Sequence, residues 1–275
     1  MTLEEKYTQL KTALAGMDSV LVAFSGGVDS TFLLRVACDV LGCDRVIALT
    51  ATSPTYPEYE FAESVKLAAA FGVRQQILAS HELKIADFTR NDQRRCYHCK
   101  SILFKLCREK AEELGFATVL DGSNLDDLDD FRPGREAVLE QGIRSPLQEA
   151  GLTKEDIRTL SRRLNLPTAD KQAFACLSSR FPYGTEITAE RLARVGQCED
   201  FLRQQGFHNY RVRYHHDIAR IEVGVKELPR LLDSALRQGV VEEFKKAGFR
   251  YVTLDLQGYR SGSMNEGLND ATPTG

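Results

Sequence analysis

No apolar run in this sequence approaches the ~20 residues needed to cross a bilayer, so a membrane-spanning helix is not expected. An excess of charge of one sign is also missing. Lys and Arg number 36 against 39 Asp and Glu, a formal −3, which exerts no overall pull toward nucleic acid or an anionic membrane. A small or medium anionic substrate is easier to accommodate than either. The cysteines, Cys38, Cys43, Cys96, Cys99, Cys107, Cys176 and Cys198, are too few, too scattered and odd in number for a secreted disulfide framework. The opening stretch, Met1 to Lys11, is polar and acidic rather than signal-like, and the expectation is a cytoplasmic protein with no membrane partner. Internal repeats and low-complexity segments are absent as well. What is present is a chain of 275 residues, 43% hydrophobic and 27% charged, enough to bury the core of one large or two modest domains.

Periodicity supplies the organisation. Leu3 to Leu14 has apolar residues at helical spacing, and Ser19 to Phe24 is a short apolar run that reads as a buried strand. A second helix over Thr31–Leu41 and a strand over Arg45–Thr50 complete a βαβ unit, which implies a parallel sheet. The alternation continues with a helix at Tyr59–Phe71, a strand at Gln75–Leu78, a helix at Cys99–Leu114, a strand at Thr118–Leu120 and a helix at Lys154–Leu164. From Lys171 the pattern changes. Tyr210–Tyr214, Ala219–Val223 and Tyr251–Leu256 read as strands, separated by helices at Ala189–Gln205 and Lys226–Ala247. The expectation is an α/β domain over residues 1–169, a smaller α+β domain over 170–264, and a loose tail over 265–275.

Between the first strand and its helix lies Ser25-Gly26-Gly27-Val28-Asp29-Ser30. Paired glycines let the backbone approach phosphate oxygens, serine hydroxyls can donate, and the following helix offers unpaired N–H groups and a positive dipole end. Pyrophosphate fits such a pocket. The loop lacks the lysine of the kinase and GTPase type and does not match the dinucleotide fingerprint either. The ordinary alternative is a Gly-rich turn whose Ser and Asp cap a helix. The hexapeptide resembles the signature of the ATP pyrophosphatases, which include NAD synthetase, GMP synthetase, argininosuccinate synthetase and tRNA thiolation enzymes. That resemblance implies an adenine nucleotide hydrolase-like fold and adenylation by ATP with pyrophosphate release.

Releasing pyrophosphate calls for Mg²⁺ on phosphate oxygens, and Mg²⁺ prefers carboxylates and water. Asp29, Asp126 and Asp127 suit it, the last two in Asp121-Gly-Ser-Asn124-Leu-Asp-Asp127, a polar stretch expected to leave the carboxyl end of a strand, where ligands bind. The alternative there is a solvated turn. Asp121 and Asn124 are assigned to the nucleotide, and Thr52, within Thr50-Ala-Thr-Ser53, resembles the place where the superfamily holds adenine by backbone contacts.

Cys176 begins Cys176-Leu-Ser-Ser-Arg-Phe-Pro-Tyr-Gly184 near the inferred domain junction. A neighbouring cation to lower its pKa and hydroxyls to bind an anion are what an activated thiolate requires. The alternative is a small buried cysteine in a loop. Arg211 and Arg213 alternate along an expected strand, so both point to one face and can clamp a phosphomonoester.

Together, the Ser-Gly-Gly-Val-Asp-Ser loop, Leu120 to Asn124, Asp130-Phe-Arg-Pro-Gly134, Cys176 to Gly184 and Arg211 to His215 are similar to the LarE family of ATP-dependent sulfur transferases. Members convert pyridinium-3,5-biscarboxylic acid mononucleotide to its thiocarboxylate on the way to the nickel-pincer cofactor of lactate racemase. The resemblance covers nearly the whole chain. It implies that Cys176 bears the sulfur, that Ser179, Arg180, Arg211 and Arg213 hold the substrate phosphate, that Glu199 and Glu222 are acidic positions of the same site, and that the protein is a homo-oligomer. In the sacrificial form of the reaction, Cys176 surrenders its sulfur and becomes dehydroalanine.

Arg94-Arg-Cys96-Tyr-His-Cys99-Lys100 adds a C-x-x-C that the sacrificial form does not need. Cys96, Cys99 and Cys176 are three thiolates that could hold a [4Fe–4S] cluster with one open iron, as some LarE members and related tRNA thiolation enzymes do. Zinc with His98, a redox pair or bystander thiols remain open. Three rival functions stand beside this reading. A tRNA 2-thiolation enzyme would use the same adenylation, but the mild acidity argues against a nucleic-acid partner. An ammonia-using amidation enzyme needs no sulfur-bearing cysteine, and a nucleotide sensor needs neither the cysteine loop nor the arginine pair.

Overall fold

Strand β1, Val20–Ala23, sends alternate side chains to opposite faces of a sheet, and both faces are buried. Val20 and Val22 join a core formed with Leu10 and Leu14 of α1 (Leu3–Ala15), Phe32, Leu33 and Val36 of α2 (Val28–Leu41), and Val46 and Ala48 of β2 (Val46–Thr52). Leu21 points the other way, into a second core with Ile47 and Leu49 of β2. Burying each such side chain contributes roughly 1.5–3 kcal/mol. This is why the strands read as continuous apolar runs.

The computed structural model describes residues 1–128, 134–172, 175–260 and 263. The motif Asp130-Phe-Arg-Pro-Gly134 lies outside these except for Gly134, and so does the tail over 265–275. The chain divides into two units, one of Met1–Phe88 with the described residues of Gln93–Phe174, the other of Thr89–Asp92 with those from Ala175 onward.

The first unit is α/β. After α3 (Glu58–Ala70) comes β3 (Arg74–Ala79), then a single turn α4 (Ala86–Thr89), the long α5 (Arg95–Leu114) and β4 (Thr118–Leu120). The sheet order is β3-β2-β1-β4 and all pairings are parallel, in register Val20↔Val46, Val20↔Thr118 and Ile47↔Arg74. Short helices α6 (Gly134–Glu140) and α7 (Pro146–Glu149) precede α8 (Lys154–Arg163), which adds Ile157 and Leu160 to the first core. Phe104, Cys107 and Ala111 of α5 complete the second core.

The second unit is α+β. Helix α9 (Ala189–Gln204) packs on β5 (Tyr210–His215) of a sheet ordered β5-β6-β7, with β6 at Ile218–Val223 and β7 at Tyr251–Leu254. β5 and β6 are antiparallel, and β7 joins parallel to β6. Asn91 enters this unit, although in sequence it falls between the two stretches of the first unit. Its side-chain amide donates to Pro182 O at 2.7 Å, its carbonyl accepts from Gly184 N–H at 2.9 Å, and Ile187 N–H donates to Thr89 O at 2.9 Å.

Two helices depart most from their expected spans. That expected over Lys226–Ala247 is instead a 3-10 segment, Val225–Leu232, followed by α10 (Ser234–Lys246). Pro229 lacks an N–H to continue an α-helix, and the Asp233 side chain accepts Leu236 N–H to start a new one. Helix α5 starts at Arg95 rather than Cys99, which places Cys96 and Cys99 on one face at its beginning.

Candidate active site

In the first unit, β1 ends at Ala23 and α2 begins at Val28, so the Gly-rich motif spans the turn and the first helical residues. Gly27 is the N-cap and supplies no side-chain acceptor, leaving the first-turn amides of α2 without a side-chain cap. Gly26 has φ +65°, and a Cβ there would come within 3.1 Å of Ser64 Cβ, so the loop lies tight on α3 in a conformation that favours glycine. The Ser25 and Ser30 hydroxyls lie 3.1 Å apart inside the loop.

Asp29 lies in the first turn of α2. Lys154 Nζ donates to its Oδ2 at 2.5 Å, while its Oδ1 is shielded from solvent and has no hydrogen-bond partner. Burial raises its pKa above the ordinary 3.8, against the opposing effect of Lys154, and Asp127 adds to the rise. A half-buried carboxylate with one unpartnered oxygen is what a cation would complete.

The segment after β4 backs onto the same helix end. A Cβ on Gly122 would meet Ser30 N at 3.1 Å. Buried Asp121 accepts from the Ser145 hydroxyl at 2.5 Å and the Ser123 hydroxyl at 2.5 Å. Asn124 Oδ1 accepts from Asp126 N–H, Asp127 Oδ2 from Asn124 N–H at 2.9 Å, and Asp126 Oδ2 from Lys154 N–H at 2.8 Å. Asp126 and Asp127 thus each spend an oxygen on the backbone, as Asp29 spends one on Lys154. Thr52, at the end of β2, accepts on its carbonyl from Ser80 N–H and donates from its hydroxyl to Leu78 O at 3.4 Å.

In the second unit, Cys176 precedes a 3-10 turn, Leu177–Arg180, and is half-buried. The side chain of Arg180 is 1% exposed. It is bidentate to Glu199 at 2.8 Å on both arms, and it donates to Ala175 O, Cys176 O and Ser179 Oγ at 2.7, 3.2 and 2.8 Å. Four residues after Cys176, Arg180 is the neighbouring cation expected from the sequence to activate the thiol. In the structure its charge is matched by Glu199, and its contact with Cys176 is to the carbonyl, so it shapes the loop. Glu199 also accepts from Val212 N–H at 2.9 Å, which ties the loop to β5.

Arg211 and Arg213 share one face of β5, with Glu222 opposite Arg211 on β6. Arg213 donates to Ser179 O at 3.0 Å, Glu222 at 2.7 Å and Ser263 Oγ at 3.0 Å, and its Nε is buried without a partner. Arg220 also pairs with Glu222, at 3.1 Å. Arg211 lies over the Tyr259 ring at 5.0 Å, and burial, with nearby Arg180, holds it below its ordinary guanidinium value. The structure thus gathers Ser179, Arg180, Glu199, Arg211, Arg213 and Glu222 around the Cys176 loop. A bound anion would offset the surplus of arginine over glutamate charge in this group.

Cys96 is exposed and Cys99 half-buried in the first unit, whereas Cys176 belongs to the second. Among the described residues no three His, Cys, Asp or Glu side chains form a group that could hold a metal ion. Burial pushes the Cys38 and Cys107 thiols up to about 12 and raises Cys198 further, so these stay protonated and inert. Lys154 was not singled out as a site residue from the sequence. Its only signal is the capping box Thr153-x-x-Asp156, which marks where α8 begins but not what that end faces.

Residues 3–103 match the family model of NAD synthase. An uncharacterized protein of Synechocystis sp. is 42% identical over 266 residues, 97% of this chain and 99% of that protein. A pyridinium-3,5-bisthiocarboxylic acid mononucleotide synthase of Lactiplantibacillus plantarum is 41% identical over 270 residues, 98% of this chain and 97% of the enzyme. An argininosuccinate synthase of Haloarcula marismortui is 29% identical over 153 residues, 51% of this chain and 36% of that enzyme.

Proposed function

This chain belongs to the family of the pyridinium-3,5-bisthiocarboxylic acid mononucleotide synthases, the LarE family, and from that premise we propose that it is an ATP-dependent sulfur transferase that thiolates a carboxylate of pyridinium-3,5-biscarboxylic acid mononucleotide. Residues 1–169 bind ATP on Ser25, Gly26, Gly27, Asp29 and Ser30, with Asp121 and Asn124 shaping the site and Thr52 beside adenine. Residues 170–264 carry the sulfur chemistry. On the same reading it works as a cytoplasmic homo-oligomer. The observation that carries the proposal is the Cys176 loop, pinned by Arg180 and Glu199 and bordered by Arg211 and Arg213, an arrangement suited to a reactive thiol beside a bound phosphate.

The chemistry runs in three balanced steps. The substrate carboxylate attacks the α-phosphorus of ATP, giving an acyl adenylate and pyrophosphate. The Cys176 thiolate displaces AMP to form a thioester. Removal of its Cα proton and breakage of its Cβ–S bond then release the thiocarboxylate and leave dehydroalanine. Mg²⁺ accompanying ATP would neutralise phosphate charge, and the unpartnered oxygen of Asp29 fits it. Alternatively, Cys96, Cys99 and Cys176 would hold a [4Fe–4S] cluster that supplies the sulfur, and Cys176 would then stay intact.

The test is to purify the protein anaerobically, measure iron and acid-labile sulfide, and weigh the intact chain before and after reaction with ATP, Mg²⁺ and the mononucleotide. A loss of about 34 Da at Cys176, the mass of H₂S, supports the sacrificial route. A brown protein with about four irons and no mass change over several turnovers gives the sulfur role to a cluster. Thiolated tRNA in place of thiolated mononucleotide overturns the substrate assignment.

A further inference from the structure

The backbone of a phosphate-binding loop is useful only when its N–H groups face the ligand, and a peptide turned over presents a carbonyl instead, which repels phosphate. Two consecutive carbonyls of this loop are occupied by side chains from elsewhere in the first unit. Tyr56 donates its hydroxyl to Ser25 O at 2.8 Å, and Lys171 donates Nζ to Gly26 O at 3.2 Å. We propose that Tyr56 and Lys171 are positioning residues that hold the Ser25 and Gly26 peptides with their carbonyls anchored to protein, so that the amides that follow are presented to the pyrophosphate portion of ATP. The inference rests on the reading of this loop as the ATP site.

Both anchors are themselves held. Lys171 Nζ also donates to Glu60 Oε2 at 2.6 Å and Glu63 Oε2 at 2.7 Å, both on α3, and Glu60 is nearly fully buried. Burial works against the Lys171 charge, but the two carboxylates outweigh it and keep the ammonium protonated. Tyr56 follows Thr55, whose hydroxyl donates to buried Glu82 at 3.0 Å, and Glu82 also accepts from the Ser80 hydroxyl at 2.6 Å. Burial and the neighbouring Glu60 raise the Tyr56 pKa, so its hydroxyl remains a donor. Ser64 closes the loop from the same helix by its approach to Gly26. Helix α3 therefore acts as a splint along the phosphate loop, with Lys171 and Tyr56 as its two attachments. Lys171 also stands just ahead of the chain segment that leads to Cys176.

The test compares ATP with AMP, which lacks the pyrophosphate portion. Dissociation constants for each, with Mg²⁺, are measured by calorimetry on the wild type, Tyr56→Phe, Lys171→Arg, and the double variant Lys171→Met with Glu60→Gln, which avoids stranding a buried carboxylate. ATP binding is expected to weaken about tenfold in Tyr56→Phe and in the double variant, with AMP binding unchanged and substantial recovery in Lys171→Arg. Equal weakening of ATP and AMP, or none, overturns the positioning role. A wild-type protein that takes up no ATP overturns the reading of the loop and the inference with it, an outcome distinct from the other two.

Discussion

Lys154 meets Asp29 at 2.5 Å across a separation of 125 residues and engages only one of its two carboxylate oxygens. The carboxylate is thus paired with an ammonium on one oxygen and without a hydrogen-bond partner on the other.

Asp29→Asn is expected to abolish pyrophosphate release, a loss of at least about a hundredfold, without unfolding the protein. Because burial raises the folded pKa of Asp29 above 3.8, the folded state binds more protons than the unfolded state just above that pH. Stability is then lost as pH rises through that window, and at neutral pH the buried charge is a net cost. The variant should therefore melt at or above the wild-type temperature at pH 7 in the absence of metal. A clearly lower melting temperature would contradict this account.

Removing one partner of the Arg180–Glu199 pair leaves a charge in a site where the two side chains are 1% and 4% exposed. Glu199→Gln or Arg180→Met should cost about 3–5 kcal/mol in urea unfolding. Arg180→Lys should recover little, since an ammonium cannot be bidentate to Glu199 and also reach the carbonyls of Ala175 and Cys176.

His215 is held below its ordinary value of 6.5, first by burial and then by Arg220, His216 and Arg213, with Glu222 opposing. The unfolded chain binds the proton more readily, so stability is full above about pH 6.5 and falls as pH drops below it. Thermal melts of His215→Gln between pH 5 and 7.5 should be flatter than those of the wild type. Parallel curves would remove His215 as the source.

Cys96→Ala and Cys99→Ala should each retain one equivalent of thiolated product per chain, with the mass loss still at Cys176, whereas Cys176→Ala should yield none. Loss of product in either of the first two variants would return the sulfur role to a cluster.

Much of the nucleotide half was legible in the sequence because its determinants are local. The apolar run of β1, the glycines and the helical spacing after them sit side by side in the chain, and strand alternation alone placed Arg211 and Arg213 on one face. The start of α5 at Arg95 lies four residues before the expected one, and the break at Pro229 and Asp233 was missed, because the apolar spacing runs on across a proline and a cap.

What the sequence determined by itself is therefore the α/β layering, the phosphate loop, the cysteine loop and the family they resemble, all carried by short-range pattern. Only the tertiary structure decided that Lys154 faces Asp29, that Lys171 reaches Gly26 across 145 residues, and that Arg180 is matched by Glu199 rather than directed at the thiol. Those pairings depend on which helix ends and strand faces the folded core brings together. A periodic pattern says that a side chain is polar or buried, but not which distant partner satisfies it.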